Sequence, residues 1–485
     1  MTSMPGCIGC RVTAPRFTTA LLLAATFFVS ACTHLSPYYR AGRMTLVPPS
    51  AAAQVDHRLL LVGDAGDADP NGEPALEMLG RQVRLLPDRT TVAFLGDNVY
   101  ERGMPEAGES VAADEAAEAA NAVLPKVFDS RHQAERLLDA QIDTVRDTPA
   151  EGIFIPGNHD WDPFAAGGWK RVLEQQNYLK AVSKMSPGVN VRMVPEGGCP
   201  GPVAIPLGKR GELIVLDTEW FLELAIKHDQ PNDKPCPENN PTGCECTTEQ
   251  DVVKALIAEL REAAKEGRWA VVAAHHPLNS AGPHGGFVEP LTHLFPLRFM
   301  RHYLPWYFEW IPMPVLGTMA VLARQHFSPS PQDASNATNI HLRTLLRDAM
   351  AEAEKQDAPT LLYAAGHDHS LQVFKTARGP RYTVVSGLGA TSRSSEVGST
   401  HNTLFAHSSP KHTGFMQVDF LRSGEVRLSV FESESGKGDA GGEVYSLMLA
   451  EAGSPRGARK AITSEGLWKR ARKRASAVWH KIDRD

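Results

Sequence analysis

The sequence predicts an α/β fold, and three observations predict it. Short apolar runs alternate with amphipathic helical segments through most of the chain, the pattern of strands joined by crossover helices. The last third carries more strand-like runs than helices, which adds further pairing strands. Several apolar runs stop at side chains of the metal-ligand type, and open α/β sheets place their sites just past the carboxyl ends of strands.

Taken in order, residues 58–62 form the first strand, ending in Gly63-Asp64-Ala65-Gly66. Leu76, Leu79, Val83 and Leu86 recur at helical spacing across 73–86. Residues 91–95 are a short buried strand that runs into the glycine turn Gly96-Asp97-Asn98-Val99-Tyr100. The Ala/Glu-rich stretch 103–122 reads as an exposed loop or weak helix. Residues 130–145 are helical, and 152–155 are a strand followed at once by Gly157-Asn158-His159-Asp160. A strand over 212–216 ends at Asp217, and Thr248 is placed to cap an amphipathic helix running to Glu266. The strand 269–274 ends in His275-His276-Pro277, the helix 340–354 follows, and the strand 360–365 ends in Gly366-His367-Asp368-His369. Strand-like pieces complete the domain at 372–376, 381–385, 415–420 and 425–431, with no internal repeat.

A chain of 485 residues calls for one large domain with insertions or for two domains. At 42% hydrophobic and 22% charged residues, with a net charge of -6, it is not a basic protein held to nucleic acid by general electrostatics. Arg11 and Arg16 precede an apolar stretch, 18–29, that is too short to span a bilayer, so the N-terminus reads as a targeting segment. Its end, Val29-Ser30-Ala31-Cys32, resembles a bacterial lipobox. That resemblance implies a signal peptide over 1–31, lipidation of Cys32, and an exported protein anchored in the bacterial envelope. Thr33, in place of aspartate, implies the periplasmic face of the outer membrane. The other reading is an ordinary secretory signal with a chance cysteine. Residues 32–57 read as a tether, 58–450 as the main domain, and 451–485 as a C-terminal tail. Cys199, Cys236, Cys244 and Cys246 remain after the signal. In an oxidising compartment four cysteines allow three disulfide pairings; a zinc knuckle is the alternative, for which the spacing is poor.

Asp64, Asp97, Asn158, His275, His367 and His369 are all hard or borderline donors of the kind metal ions take. Singly, each has an ordinary structural reading as a helix cap, a packed histidine or a solvated turn. Six at the ends of successive buried strands point to one site. The ordered blocks Asp64-Ala65-Gly66, Gly96 to Tyr100, Gly157 to Asp160, Val272 to His275 and Gly366 to His369 resemble the calcineurin-like metallophosphoesterase superfamily. The tyrosine in Gly-Asp-x-x-Tyr resembles the purple acid phosphatase branch. The resemblance implies a four-layer αββα sandwich with mixed sheets, interrupted here by a hydrophobic insertion. It implies two metal ions, the first on Asp64, Asp97, Tyr100 and His369, the second on Asp97, Asn158, His275 and His367, with Asp97 bridging. Fe(III) paired with Fe(II), Zn or Mn is implied if Tyr100 ligates; if Tyr100 only packs, a Mn/Mn pair is the alternative. His159 is implied as proton donor to the leaving oxygen or as phosphate binder, with Asp160 orienting and charging it, and His276 as a second candidate for that role. Such a pair of cations clamps a phosphate ester and acidifies a bridging water.

The implied activity is hydrolysis of phosphomonoesters. A phosphodiesterase or nucleotidase with a Mn/Zn centre, and a catalytically silent surface-binding lipoprotein, are the alternatives. The insertion, residues 278–339, is rich in aromatics and prolines over 291–327 and is broken by Arg298, Arg301 and Arg324. A helix spanning the membrane is not expected there; a packed hydrophobic cap, a lid over the site, or a segment lying on the membrane are. The tail is basic and carries Trp468 and Trp479, which suits either a solvated terminus or anionic lipid head groups, rather than nucleic acid.

Overall fold

The computed structural model describes residues 36–40, 46–106, 131–162, 168–222, 248–288, 290–297, 305–434, 441–453 and Pro455. The signal segment with Cys32, the greater part of the Ala/Glu-rich stretch, Cys236, Cys244, Cys246 and nearly all of the basic tail lie outside the described residues. The described residues divide into two compact units, the smaller drawn from Val288–Leu322 and the larger from His34–Phe287 and Ala323–Asp485.

In chain order the elements are β1 (Tyr38–Tyr39), β2 (Val55–Val62), α1 (Pro74–Leu85), β3 (Thr90–Phe94), α2 (Arg131–Ile142), β4 (Glu151–Phe154), α3 (Trp169–Met185) and β5 (Asn190–Met193). Next come β6 (Val203–Leu207), β7 (Gly211–Val215), α4 (Glu219–Leu222), α5 (Glu249–Lys265), β8 (Trp269–Ala273), α6 (Pro314–Phe327) and α7 (Ala337–Lys355). The chain closes with β9 (Thr360–Ala365), β10 (Leu371–Lys375), β11 (Tyr382–Ser386), β12 (Thr403–His407), β13 (His412–Leu421), β14 (Val426–Glu434) and β15 (Gly441–Ala450).

The strands of the larger unit form an eight-stranded sheet, β1-β12-β10-β11-β9-β8-β7-β6, and a seven-stranded sheet, β15-β14-β13-β2-β3-β4-β5. Both are mixed. The strands β2, β3, β4 and β5 run parallel, as do β7, β8, β9 and β11. Antiparallel strands extend each parallel core.

Side-chain alternation shows the layering. Leu59 and Leu61 of β2 share one buried cluster with Leu213, Val215, Val271 and Leu361 of the other sheet, so these faces pack against each other. The opposite face of β2, Leu60 and Val62, lies with Leu76 and Leu79 of α1 and Leu137 of α2. Across the molecule, Ile214, Val272 and Tyr363 lie with Leu256 and Leu260 of α5 and Leu346 of α7. The result is a four-layer αββα sandwich. Strands covered on both faces explain why the parallel runs are continuously apolar rather than alternating. Each fully buried leucine or valine of β2 contributes about 1.5–3 kcal/mol of burial.

Helix ends follow local chemistry. Pro74 opens α1, where a missing N–H costs nothing. Thr248 accepts from the Asp251 N–H and forms a capping box at α5. Asn336 caps α7 by accepting from the Thr338 N–H.

Two expectations need correction. The stretch 32–57 is not simply a tether. Tyr38–Tyr39 pairs with β12, Tyr39 Oη donates to the Val444 carbonyl at 3.2 Å, and the Val47 N–H donates to Ser446 Oγ at 2.7 Å. The insertion is not one piece either. Val288–Leu322 belongs to the smaller unit, whereas 278–287 and 323–339 belong to the sandwich. Within the smaller unit, the Met313 N–H donates to the Leu294 carbonyl at 2.8 Å, and Val315, Leu316 and Met319 of α6 are exposed. Among the described residues no helix is long and apolar enough to cross a membrane. Cys199 is disulfide-bonded, in line with the expected disulfides; Cys236, Cys244 and Cys246, for which the zinc knuckle is the alternative, lie outside the described residues.

Candidate metal centre

The parallel strands of both sheets deliver their carboxyl ends to one place. Asp64 follows β2, Asp97 follows β3 and Asn158 follows β4 in one sheet, while His275 follows β8 and His367 and His369 follow β9 in the other. The ends are stitched together by backbone hydrogen bonds: Asp64 N–H to the Gly96 carbonyl at 3.0 Å, and Gly366 N–H to the His275 carbonyl at 3.0 Å. Space is tight enough that two glycines are obligatory. A Cβ on Gly157 would stand 2.3 Å from Asp97 Oδ1, and one on Gly96 would stand 2.5 Å from His275 Nδ1. Three of the donors, Asp64, Asp97 and His367, sit at positive φ (58°, 54° and 71°). That conformation is disfavoured for side-chain-bearing residues and clusters at functional sites.

The donors fall into two knots. In the first, Tyr100 Oη lies 2.9 Å from Asp64 Oδ1, 3.0 Å from Asp97 Oδ2 and 3.1 Å from His369 Nε2. In the second, Asn158 Oδ1 lies 3.0 Å from both His275 Nε2 and His367 Nδ1, and these two nitrogens are 3.1 Å apart. Asp97 Oδ1 reaches this knot at 3.4 Å from His275 Nε2. One carboxylate therefore gives an oxygen to each knot.

The donor chemistry fits metal ions. The outer nitrogen of each second-knot histidine is committed to a carbonyl, His275 Nδ1 to Leu95 at 2.8 Å and His367 Nε2 to Gln332 at 3.0 Å. A ring N–H that donates outward leaves the other nitrogen's lone pair facing inward, the arrangement that orients ligating imidazoles. Two inward lone pairs and an amide oxygen at 3.0–3.1 Å repel unless a proton or a cation stands among them. Spacings near 3 Å are also those of neighbouring ligands around a cation held at about 2.1 Å. Asp64, Asp97 and His275 offer ligand atoms within 4.8 Å of one another, as do His275, His276 and His367.

Electrostatics agrees. Burial and the carboxylates of Asp64 and Asp97 push the Tyr100 phenol well above its ordinary pKa, so it stays protonated without a cation. Burial and the neighbouring histidines His284, His276 and His275 hold His367 well below the usual range, in the neutral form a metal needs. Burial alone would lower His275, but the Asp97 and Asp64 carboxylates with the Leu95 carbonyl outweigh it and hold the ring up at about 10, so without a metal a proton supplies the positive charge these carboxylates favour.

The three residues expected to do proton chemistry have different fates. His159 is partly exposed, its backbone N–H donates to Asp97 Oδ1 at 2.9 Å, and its Nδ1 lies 2.6 Å from the Glu101 carbonyl. Nδ1–H donates there, which leaves Nε2 for an incoming oxygen. Asp160 does not orient that ring, contrary to expectation. Its oxygens accept from the N–H groups of Gly157 at 2.8 Å, Asn98 at 3.0 Å and Val99 at 3.1 Å, so it clamps the Asp97 turn to the Asn158 turn. Burial and Asp97 raise it to about 7. His276, the second candidate for that role, is placed differently. Its Nδ1 lies 2.8 Å from Thr218 Oγ1 and its Nε2 2.6 Å from Gln332 Oε1, and burial with His275 lowers it to about 3. Both of its nitrogens are spent on holding the wall of the site.

Several residues of the site were not foreseen. The His284 ring stacks 4.2 Å from that of His367, and its Nδ1 meets Asp333 Oδ1 at 2.7 Å. Burial alone would raise Asp333, but His284 and Arg324 hold it at about 2. The Arg393 guanidinium lies 4.0 Å over the Tyr100 ring and pairs with Asp67 and Glu101. The only sequence signal was that His284 sits in a Gly-rich segment just after a ligand loop and Arg393 in the unpatterned loop 386–400.

No family model and no curated protein matches this chain. Among solved structures it is similar to GAP50, the anchor in the inner membrane complex of Plasmodium, at 13% identity and TM-score 0.46, covering 82% of this chain and 90% of that one. It is also similar to a dimetal phosphatase from Danio rerio, at 13% identity and TM-score 0.33, covering 82% and 99%. A third is the protein TT1561 of Thermus thermophilus, at 12% identity and TM-score 0.29, covering 80% and 99%. Likenesses at these scores carry no functional weight; the case rests on this chain's own side chains.

Proposed function

We propose that this chain is a metal-dependent phosphoesterase, a hydrolase of the calcineurin-like metallophosphoesterase kind that acts on phosphomonoesters as acid phosphatases do. The observation that carries the reading is Asp97, whose two oxygens face two separate donor knots. Asp64, Asp97, Tyr100 and His369 would hold one metal, and Asp97, Asn158, His275 and His367 the other. Two adjacent cations neutralise the charge of a phosphate ester and lower the pKa of a water, which supplies most of what phosphoryl transfer needs. The chain's own contribution is positioning and proton supply. His159, fixed through Nδ1, keeps Nε2 for the leaving oxygen. Asp160 holds the two turns that carry Asp97 and Asn158 in register.

A phenol beside two carboxylates is a poor ligand for a soft or weakly charged ion and a good one for a hard trivalent ion. Tyr100 therefore supports Fe(III) in the first site with Fe(II), Zn or Mn in the second. The lipobox-like Cys32 supports action from a lipid anchor at the bacterial envelope, and changing Cys32 to Ala should release the protein from membranes.

The test is hydrolysis of a monoester and a diester of p-nitrophenol by metal-reconstituted protein, with Asp97→Ala alongside. The monoester should be turned over faster, and the variant should lose at least about 100-fold in kcat while keeping its circular dichroism spectrum. Full activity in the variant would refute the site; a preference for the diester would move the substrate class to phosphodiesters.

A further inference from the structure

We propose that His407, His412 and Glu432 form another cation site, for a zinc-type divalent ion, at the place where the two sheets are joined by the short connection 408–411. His407 is the last residue of β12 in the eight-stranded sheet, His412 the first of β13 in the seven-stranded sheet, and Glu432 lies on β14 beside it. Their ligand atoms lie within 4.8 Å of one another. His407 Nδ1 is 2.7 Å from Glu432 Oε1, and His412 Nδ1 is 3.7 Å from Glu432 Oε2. The two rings stand 5.1 Å apart at 62°.

Two observations distinguish this cluster from an ordinary ion pair. His412 Nδ1 is buried yet has no hydrogen-bond partner among the described residues. An orphaned buried polar atom is destabilising, and a cation between it and Glu432 removes that cost. The Glu432 carboxylate is 4% exposed, and the salt bridges it makes are to these two histidines. Two imidazoles and one glutamate are the ligand set of open zinc sites, which complete their coordination with water. The entry path is on the His412 side, where the ring is 29% exposed, while His407 is 2% exposed at the floor.

The site has a consequence for the loop that carries the metal-centre residue His369. Ser408, next to His407, donates through Oγ to the His369 carbonyl at 3.2 Å. A cation that pins His407 to β13 and β14 thus also fixes the support of that loop. The site itself does not depend on the phosphoesterase reading, because it shares no residue with the two knots.

Zinc bound per chain, measured on the full-length protein after equilibrium dialysis against zinc chloride, tests the proposal. Wild type should hold one equivalent more than His412→Ala and than Glu432→Gln, whatever the other centre retains. Zinc should also raise the melting temperature of wild type more than that of His412→Ala. Equal zinc content in wild type and both variants would overturn the site. His412→Ala, at a partly exposed ring, carries the test if Glu432→Gln fails to fold. Asp97→Ala separates the two centres: it should lower the count through the paired knots and leave the equivalent that depends on His412.

Discussion

Replacing Tyr100 with Phe removes one oxygen and nothing else, and that oxygen touches three proposed ligands at 2.9, 3.0 and 3.1 Å. Without metal, the hydroxyl has one hydrogen to donate, to Asp64 or Asp97. A hydrogen bond to a charged group contributes about 1.5–3 kcal/mol. Both carboxylates keep other donors: Asp64 Oδ2 accepts the His367 N–H at 2.8 Å, and Asp97 Oδ1 accepts the His159 N–H at 2.9 Å. The loss of stability in the metal-free protein should therefore fall near the low end, about 1.5–2 kcal/mol. The loss of metal should be larger. Removing a residue that only orients a ligand already costs about 10–100-fold in affinity, and Tyr100 is proposed as one of four ligands to the first ion. Elemental analysis and a visible spectrum on the same sample read this directly. Wild type should hold about one iron and one further metal with a tyrosinate-to-iron absorption band; Tyr100→Phe should lose the band and most of the iron. If the variant retained both metals at full occupancy with an unchanged spectrum, Tyr100 would be a packing residue and the centre a Mn- or Zn-type pair. An Fe(III) site would then have no support.

Three further outcomes follow from named contacts. His159→Ala should lower kcat by about 100- to 10,000-fold with metal content intact; an unchanged kcat at saturating substrate would remove His159 from proton transfer. His57, whose Nε2 lies 3.0 Å from Thr91 Oγ1, is lowered to about 4, chiefly by burial. The unfolded chain takes up a proton near pH 6.5 and the folded chain only near 4, so this contribution to stability is present above pH 6.5 and is lost as pH falls. Between pH 7 and 5 wild type should lose about 2 kcal/mol more than His57→Gln in denaturant melts, and parallel losses would count against the assignment. Arg58 grips Asp419 in a bidentate pair, Nε to Oδ1 at 2.8 Å and Nη2 to Oδ2 at 3.1 Å, with both side chains buried. Asp419→Ala strands a buried guanidinium and should cost about 3–5 kcal/mol; a change below about 1 kcal/mol would show that water or a new partner reaches Arg58.

What was legible in the sequence and what was not divide along one physical line. A strand buried on both faces needs an unbroken apolar run, so β3, β8 and β9 announce themselves, and their ends mark Asp97, His275 and His367. The helix α3 does not, because its buried positions include Arg171, Gln175 and Gln176, and Arg171 is held there by Asp162 at 3.1 Å. Half of its inward face is polar, with Val172, Leu179 and Val182 as the apolar half, and hydrophobic periodicity shows such a face poorly. The strand β6 contains Pro206, which removes a ladder donor and reads as a break; it is tolerated because β6 is the edge of its sheet.

The same line runs through the site. Donor type and order could be read from the chain, because each donor lies just past the end of a strand, Asp97 and Tyr100 after β3 and His367 and His369 after β9. The wiring around them could not, because it depends on which way a turn faces. Asp160 adjoins His159 in sequence, yet the turn aims its carboxylate back at the Gly157 and Asn98 amides. Gln332 lies 35 residues from His367 and 56 from His276, and only the return of the insertion brings its carbonyl to one ring and its side chain to the other. Positive φ at Asp64, Asp97 and His367 belongs to this hidden part. Those backbones are held against their preference by the contacts around them, and what the strain achieves is the convergence of the other donors on the two oxygens of Asp97. A change at Asp160 or Gln332 should therefore act on metal affinity through geometry alone, although neither residue is a proposed ligand.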